Sequence, residues 1–124
     1  MPKTFLILGT LNTVLCIALG AFGAHGLKRV LSADMLTVYH TAVQYHFYHA
    51  FGIVVVGLLL LHFPKSRFIP ISGWLMMTGI VLFSFSLYAL SVTEVRGLGM
   101  ITPFGGVSFL TAWLLLAYAI WKEK

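Results

Sequence analysis

Four apolar stretches, separated by short polar or basic loops, fill almost the whole chain. They cover residues 5–23, 42–63, 68–92 and 100–121. Each is about 20 residues long, the length that a helix needs to cross roughly 30 Å of hydrocarbon at about 1.5 Å per residue. The pattern predicts an all-α fold, with residues 1–124 forming a single domain in which four transmembrane helices make an up-down bundle.

The composition is typical of a membrane protein. Hydrophobic residues make up 60% of the chain and charged residues only 9%, whereas soluble domains carry about 25% charged residues. The formal net charge is +5, but the basic residues are scattered and form no basic face that could follow a phosphate backbone. The sequence therefore predicts the lipid bilayer as a partner and argues against nucleic-acid binding.

The distribution of basic residues predicts the orientation of the chain. The two termini and the middle loop share one side of the membrane and carry five basic residues, namely Lys3, Lys65, Arg67, Lys122 and Lys124. The other two loops carry three, namely Lys28, Arg29 and Arg96. Because basic loops favour the cytoplasmic side, both termini are expected to lie in the cytoplasm.

Small residues line up on one face of the first span. At about 100° per residue they fall within an arc of about 100°, and they are Gly9, Asn12, Thr13, Cys16, Gly20 and Gly23. Lipid gives helices no hydrophobic drive to associate, so the attraction must come from van der Waals contacts between closely approaching backbones. We expect a helix–helix contact here, with a ligand groove as the alternative. Similar packing is expected at Gly73, Ser84, Gly105 and Gly106.

The second span differs because polar side chains cover one of its faces. Ser32, with Asp34 two residues later, predicts that this helix begins before the membrane and runs through to His62. An arc of about 140° contains Thr41, Gln44, Tyr45, Tyr48, His49 and Gly52, and His46 lies about 60° beyond His49. The opposite side, expected to face lipid, contains Val43, Phe47, Ala50 and Val54.

An unpaired amide or imidazole in hydrocarbon costs several kcal/mol, so this polar arc is expected to point into the protein. Two interpretations stay open, a hydrogen-bond network between helices and a site for a ligand, ion or substrate.

Because successive spans alternate in direction, the polar residues collect toward the outer end of the bundle. A predicted outward-facing vestibule comprises His25, Gln44, Tyr45, His46, Tyr48, His49, Tyr88, Ser91, Glu94 and Thr102. His49 is expected at its centre, and Glu94 is expected to close its mouth by pairing with a base of the first loop. No Asp or Glu lies inside a span, which argues against a proton- or cation-coupled transporter.

Four short motifs carry a resemblance to a known family. They occupy residues 20–26, 41–49, 82–88 and 101–106. With these motifs the chain resembles the domain-of-unknown-function 423 family of small bacterial inner-membrane proteins, to which the eukaryotic transmembrane protein 256 is similar. The resemblance implies four spans in a bacterial inner membrane and supplies no activity or catalytic residues. Phe85 departs from the family, which more usually has glycine at that position.

Three function classes are compatible with these features. The first is a non-enzymatic protein that acts through assembly, as a homo-oligomer or with another membrane protein, or by modulating the bilayer. The second is a small-solute or ion permease or channel, and the third is a redox protein, metal protein or membrane enzyme that uses the histidines. We favour the first and expect no cofactor, because the third and fourth spans lack histidine and His46 and His49 lack nearby cysteine or carboxylate ligands.

Overall fold

The computed structural model describes residues 1–123 and contains four long helices. They are α1 (Pro2–His25), α2 (Ala33–His62), α3 (Phe68–Thr93) and α4 (Thr102–Lys122). Short 3₁₀ turns lie in the first and third connections, at Leu27–Arg29 and Arg96–Met100. Each helix, the last counted with the turn before it, is long and apolar enough to cross a membrane. The predicted all-α, four-span membrane bundle is confirmed, and Lys124 lies outside the described residues.

The helix ends follow from the local sequence. Ser32 caps α2, since its Oγ accepts a hydrogen bond from the backbone nitrogen of Met35 at 3.2 Å. The prediction that α2 begins before its apolar stretch is therefore confirmed. Pro2 and Pro103 lie in the first turns of α1 and α4, where a missing N–H leaves no gap. Glu94 ends α3 in the left-handed region, with φ 58°.

Helix α1 packs along α2 through the predicted small-residue stripe. A Cβ placed on Gly9 would lie 2.8 Å from the backbone nitrogen of Val54, and one placed on Gly23 would overlap the Tyr39 ring. Neither position has room for a side chain, so the absence of Cβ is what lets the two helices approach so closely.

The other residues of the stripe fit against α2 in different ways. Cys16 is buried, and its Sγ donates to the carbonyl oxygen of Val43 at 3.3 Å. The Thr13 hydroxyl donates to the carbonyl oxygen of Gly9 in its own helix at 2.8 Å. A Cβ on Gly20 would meet Val43 only at 3.4 Å, an ordinary van der Waals distance. Helices α1 and α2 are thus in contact along this stripe, and Gly20 lies at its loose edge.

The other predicted packing glycines also differ in how tightly they fit. A Cβ on Gly73 of α3 would approach the Phe5 ring to 2.5 Å. Gly105 of α4 lies directly against the backbone nitrogen of Phe83, whereas a Cβ on Gly106 would lie 3.9 Å from that residue's ring. Close packing therefore requires glycine at Gly73 and Gly105 but not at Gly106.

The middle of α3 is a π-helical segment, Ile80–Phe85. Such segments are rare in proteins, and many of those that occur lie at functional sites. Ser84, one of the residues expected to pack between helices, lies within it and is fully buried. Because Gly105 touches the backbone of this segment, α4 packs directly on the π-helical turn.

The apolar core draws fully or almost fully buried side chains from all four helices. Its members include Phe5, Ile53, Val56, Leu60, Ile69, Met76, Ile80, Phe109 and Leu116. Ala50 is also fully buried, so the prediction that it faces lipid is wrong. Helix α1 covers that side of α2, and the carbonyl oxygen of Ala50 lies only 3.0 Å from where a Cβ of Gly9 would be. The other members of that side, Val43, Phe47 and Val54, are half-buried.

Candidate functional site

Polar side chains from three helices meet inside the bundle. His46 of α2 is fully buried. Its Nδ1 lies 2.9 Å from the hydroxyl oxygen of Tyr88 on α3, and its Nε2 lies 3.0 Å from Oδ1 of Asn12 on α1. Asn12 is itself buried. We call Asn12, His46 and Tyr88 the buried polar centre.

The partners of Asn12 decide where the hydrogens of this centre lie. Its Nδ2 donates to the carbonyl oxygen of Leu8 at 2.8 Å and approaches Sδ of Met77 at 3.6 Å, and neither of these atoms can donate. Oδ1 of Asn12 must therefore face His46, which carries a hydrogen on Nε2. In the neutral ring, Nδ1 then accepts the hydrogen of the Tyr88 hydroxyl, so both ring nitrogens are paired.

His49, one turn further along α2, is held differently. Its Nδ1 donates to the carbonyl oxygen of Tyr45 at 2.7 Å, and its Nε2 accepts from Nε1 of Trp113 on α4 at 3.0 Å. Its ring stacks on Phe109, with ring centroids 3.4 Å apart and an interplanar angle of 8°. His49 is therefore neutral and carries its hydrogen on Nδ1, the opposite tautomer to His46.

Helix geometry explains why the two histidines enter different interfaces. At about 100° per residue, they lie about 60° apart around α2. His46 consequently contacts α1 and α3, whereas His49 contacts α4. Phe85, in the π-helical segment of α3, meets the His46 ring edge-on at 5.5 Å between centroids. The large Phe85 side chain thus covers one side of the buried polar centre.

Ser84 has the one buried side-chain polar atom among residues 1–123 that lacks a hydrogen-bond partner. Along α3 it lies between Met77, which contacts Asn12, and Tyr88, which contacts His46. The part of α3 that borders the buried polar centre therefore has one unpaired hydroxyl.

The two histidines lie at mid-depth in the bundle. Asn12, which bonds to His46, is near the middle of α1, and Trp113, which bonds to His49, is near the middle of α4. Both rings are almost completely covered by protein. The prediction that His46 and His49 line an outward-facing vestibule is therefore wrong, because neighbouring helices enclose them.

The residues predicted at the mouth of the vestibule stay apart from the centre. His25 and Glu94 are exposed, and among residues 1–123 neither takes part in the hydrogen bonds of the histidines. Ser91 is buried, but its hydroxyl donates to the carbonyl oxygen of Tyr88 in its own helix at 2.8 Å. Thr102 shares a 2.7 Å hydrogen bond with Ser86, which links α4 to α3.

Three predicted site residues lie on the outer surface of α2. Gln44 is exposed, and Tyr45 and Tyr48 are 38% and 50% exposed. Nε2 of Gln44 donates to the hydroxyl oxygen of Tyr48 at 2.7 Å, a pair four residues apart on one helix face. The prediction that this part of the arc points inward is wrong, because the other helices cover α2 on the side of the histidines. We call Gln44, Tyr45 and Tyr48 the outer polar face.

An apolar groove of about 540 Å³ opens beside His49. Its lining comes from α2, α3 and α4 and comprises Tyr45, His49, Phe83, Pro103, Gly106, Val107, Phe109, Leu110 and Trp113. Because both ring nitrogens of His49 already have protein partners, the groove is suited to hydrocarbon rather than to a polar solute. Among residues 1–123, no three His, Cys, Asp or Glu side chains lie close enough together to hold a metal ion.

Two residues of the observed site were not among the predicted vestibule residues. Asn12 was assigned only to the small-residue stripe, although an amide in the middle of an apolar span needs a polar partner, which is a usable signal. Trp113 was assigned to no site. Its contact with His49 depends on how α4 packs against α2, and no spacing in the sequence reports that.

The chain resembles known bacterial membrane proteins over its whole length. The family described as protein of unknown function (DUF423) matches residues 19–106. The chain is 50% identical over 120 residues to the UPF0382 membrane protein YwdK of Bacillus subtilis, covering 97% of this chain and 98% of that protein. It is 40% identical over 124 residues to a UPF0382 membrane protein of Haemophilus influenzae, covering 100% of this chain and 98% of that protein. No solved structure matches it significantly.

Proposed function

The chain belongs to the DUF423 family of membrane proteins, and we propose that it acts without catalysis, by associating laterally with another membrane-embedded helix. One observation carries this proposal. Gln44 and Tyr48 lie on the outer surface of the bundle, at a depth where the surroundings are hydrocarbon.

The depth of the outer polar face follows from the contacts on the other side of α2. His46 and His49 bond to residues near the middle of α1 and of α4. Gln44 and Tyr48 lie within one turn of these histidines along α2. They therefore lie near the middle of the membrane, far from the headgroups on either side.

At this depth the outer polar face has unfilled hydrogen-bonding capacity. Gln44 has two N–H donors and a carbonyl oxygen, and its bond to Tyr48 uses one donor. The Tyr48 hydroxyl accepts that bond and keeps its own hydrogen available. Groups left unpaired in lipid cost free energy because water cannot reach them. A polar group on a neighbouring helix would satisfy them, with a bond worth about 0.6–2 kcal/mol.

The outer surfaces of the other helices are suited to lipid. Helix α1 exposes Ile7, Leu11, Val14 and Ile17, and α4 exposes Val107, Leu110 and Leu114. Thr10 of α1 is also exposed, but its hydroxyl donates to the carbonyl oxygen of Leu6 at 2.8 Å within the same helix. Thr78 of α3 and Thr111 of α4 each expose a single hydroxyl, whereas Gln44 of α2 is the one exposed side-chain amide among residues 1–123.

The other two function classes find less support. A permease or channel needs a continuous polar path across the membrane, whereas the hydrogen-bonded rings of His46 and His49 are buried at mid-depth. A metal protein or enzyme would use the histidines, yet the ring nitrogens of both His46 and His49 are occupied by protein partners.

We place the protein in a bacterial inner membrane with both termini in the cytoplasm. The bacterial relatives and the five-to-three distribution of basic residues support this arrangement. A reporter that works only in the cytoplasm is expected to be active when it is fused to the C-terminus. Activity of a reporter that works only outside the cytoplasm would contradict the orientation.

The size of the purified protein in mild detergent tests the proposed association. Wild type is expected to run as a complex larger than one chain, and Gln44→Leu is expected to run as one chain with an unchanged melting temperature. Thr111→Val, which removes a hydroxyl from the exposed side of α4, is the matched control and should keep the complex. A wild-type protein of single-chain size, or a Gln44→Leu variant of full size, would refute the proposal.

A further inference from the structure

We propose that the partner of the outer polar face is a second copy of this chain, related to the first by a twofold axis along the membrane normal. This inference rests on the proposed function, since it names the partner of the same surface. In such a pair the two α2 helices lie side by side and parallel, with Gln44 of each copy near the axis.

The hydrogen-bonding groups left over on the outer polar face complement one another. The leftover donors are the second N–H of Gln44 and the O–H of Tyr48, and the leftover acceptor is Oε1 of Gln44. A twofold axis presents the donors of each copy to the acceptor of the other. The surface can therefore fill its own requirement without any group from a different protein.

Depth favours a second copy as well. Two copies inserted in the same orientation place Gln44 at the same level in the membrane, so their amides meet without any adjustment of register. A different partner would have to carry a polar side chain at mid-depth, and polar side chains are rare there because each one is costly in hydrocarbon.

The contact surface continues along α2 on both sides of Gln44. The exposed side chains recur at alternating spacings of four and three residues, at Gln44, Tyr48, Phe51, Val55 and Leu58, and the half-buried Thr41 lies three residues before Gln44. This is the a/d spacing of a two-stranded parallel helix pair, in which a polar side chain within the seam selects the register and the number of strands. Gln44 is suited to that role because the seam residues from Phe51 onward are apolar. A shift in register would place its amide against apolar side chains.

The surface beside this seam has room for the other copy. An apolar groove of about 460 Å³ lies between α1 and α2, bounded by Thr10, Thr13, Phe51, Val54 and Val55. It runs next to the apolar half of the seam. A side chain of the second α2, such as its Phe51, can therefore pack into a depression instead of holding the two helices apart.

Disulfide cross-linking in native membranes tests this pairing. Cys16 is the one native cysteine, and Cys16→Ser removes the thiol while keeping a donor for the carbonyl oxygen of Val43. In this background, oxidation of Phe51→Cys is expected to link two copies. Leu114→Cys, which is even more exposed on α4, is the matched control and should not link. Adding Gln44→Leu is expected to lower the linked fraction of Phe51→Cys about tenfold, equivalent to about 1.4 kcal/mol.

The outcomes separate this inference from the proposed function. A two-copy species that needs Gln44 supports both. A link from Phe51→Cys to a different protein overturns pairing with a second copy and leaves lateral association standing. Equal linking at Phe51→Cys and Leu114→Cys, or linking that Gln44→Leu does not change, reflects random collision and overturns the pairing. No link at either position, together with single-chain size in detergent, overturns both.

Discussion

The two sides of α2 carry polar side chains of similar chemistry, and the bundle uses them in different ways. On the inner side, every ring nitrogen of His46 and His49 has a protein partner. On the outer side, Gln44 and Tyr48 share one hydrogen bond and keep others unfilled. The inner set stabilises the single chain, and the outer set is suited to stabilising an assembly. In a membrane helix, polarity alone does not show which side faces protein. The side that is buried is the one for which the neighbouring helices offer hydrogen-bond partners.

The largest effect is expected from removing an inner side chain. His46→Ala leaves Oδ1 of Asn12 and the hydroxyl of Tyr88 unpaired and opens a cavity, so we expect a loss of about 3–5 kcal/mol in the free energy of unfolding. Gln44→Ala, on the same helix, should change it by less than about 0.5 kcal/mol when the chain is monomeric. Unfolding in detergent measures both. Similar losses in the two variants would contradict the conclusion that only the inner side stabilises the single chain.

A smaller effect is expected where α1 covers the inner side. Ala50→Leu forces extra carbons into the contact beside Gly9, and we expect overpacking to cost about 1–3 kcal/mol. Val55→Leu adds a single carbon on the exposed side and should be nearly neutral. The same unfolding measurement applies. If Ala50→Leu were as stable as wild type, α1 could not lie against this side of α2.

The next effect is local to His49. Trp113→Phe keeps an aromatic ring but removes the N–H that Nε2 of His49 accepts, which should destabilise the chain by about 1–2 kcal/mol. Nitrogen-15 NMR of labelled histidine sharpens the comparison. We expect the hydrogen on Nδ1 in His49 and on Nε2 in His46. Identical tautomers in the two rings would contradict the hydrogen-bond assignment.

The smallest effect is expected from Tyr48→Phe. This change removes one hydroxyl from the outer polar face and leaves the ring, so the stability of the single chain should not change. Association should weaken by about 0.6 kcal/mol, or roughly threefold, for each hydroxyl removed, the average value of such a bond between membrane helices. The concentration dependence of complex size in detergent measures it. A larger effect on the melting temperature than on association would mean that Tyr48 acts within the chain.

Much of the fold was predictable because its causes are local. The length of each apolar stretch relative to the thickness of a bilayer predicts a span, and Ser32 predicts the start of α2. The glycines at positions 9 and 23 predict close approach because of their size. The site was predictable only in part. His46, His49 and Tyr88 were identified as polar residues that need partners, but Asn12 and Trp113 were not recognised as those partners, and Gln44 and Tyr48 were placed on the wrong side.

The sequence by itself determined the number of spans, the helix starts and the packing stripe of α1, because these depend on the hydropathy and size of residues that are near one another in the chain. Only the tertiary structure decided the rotation of α2 about its own axis. His46 and Gln44 lie about 200° apart around this helix, so polar residues stand on nearly opposite sides and hydropathy favours neither. The docking of α1, α3 and α4 buried the histidines, through Asn12, Tyr88 and Trp113, and left Gln44 facing outward.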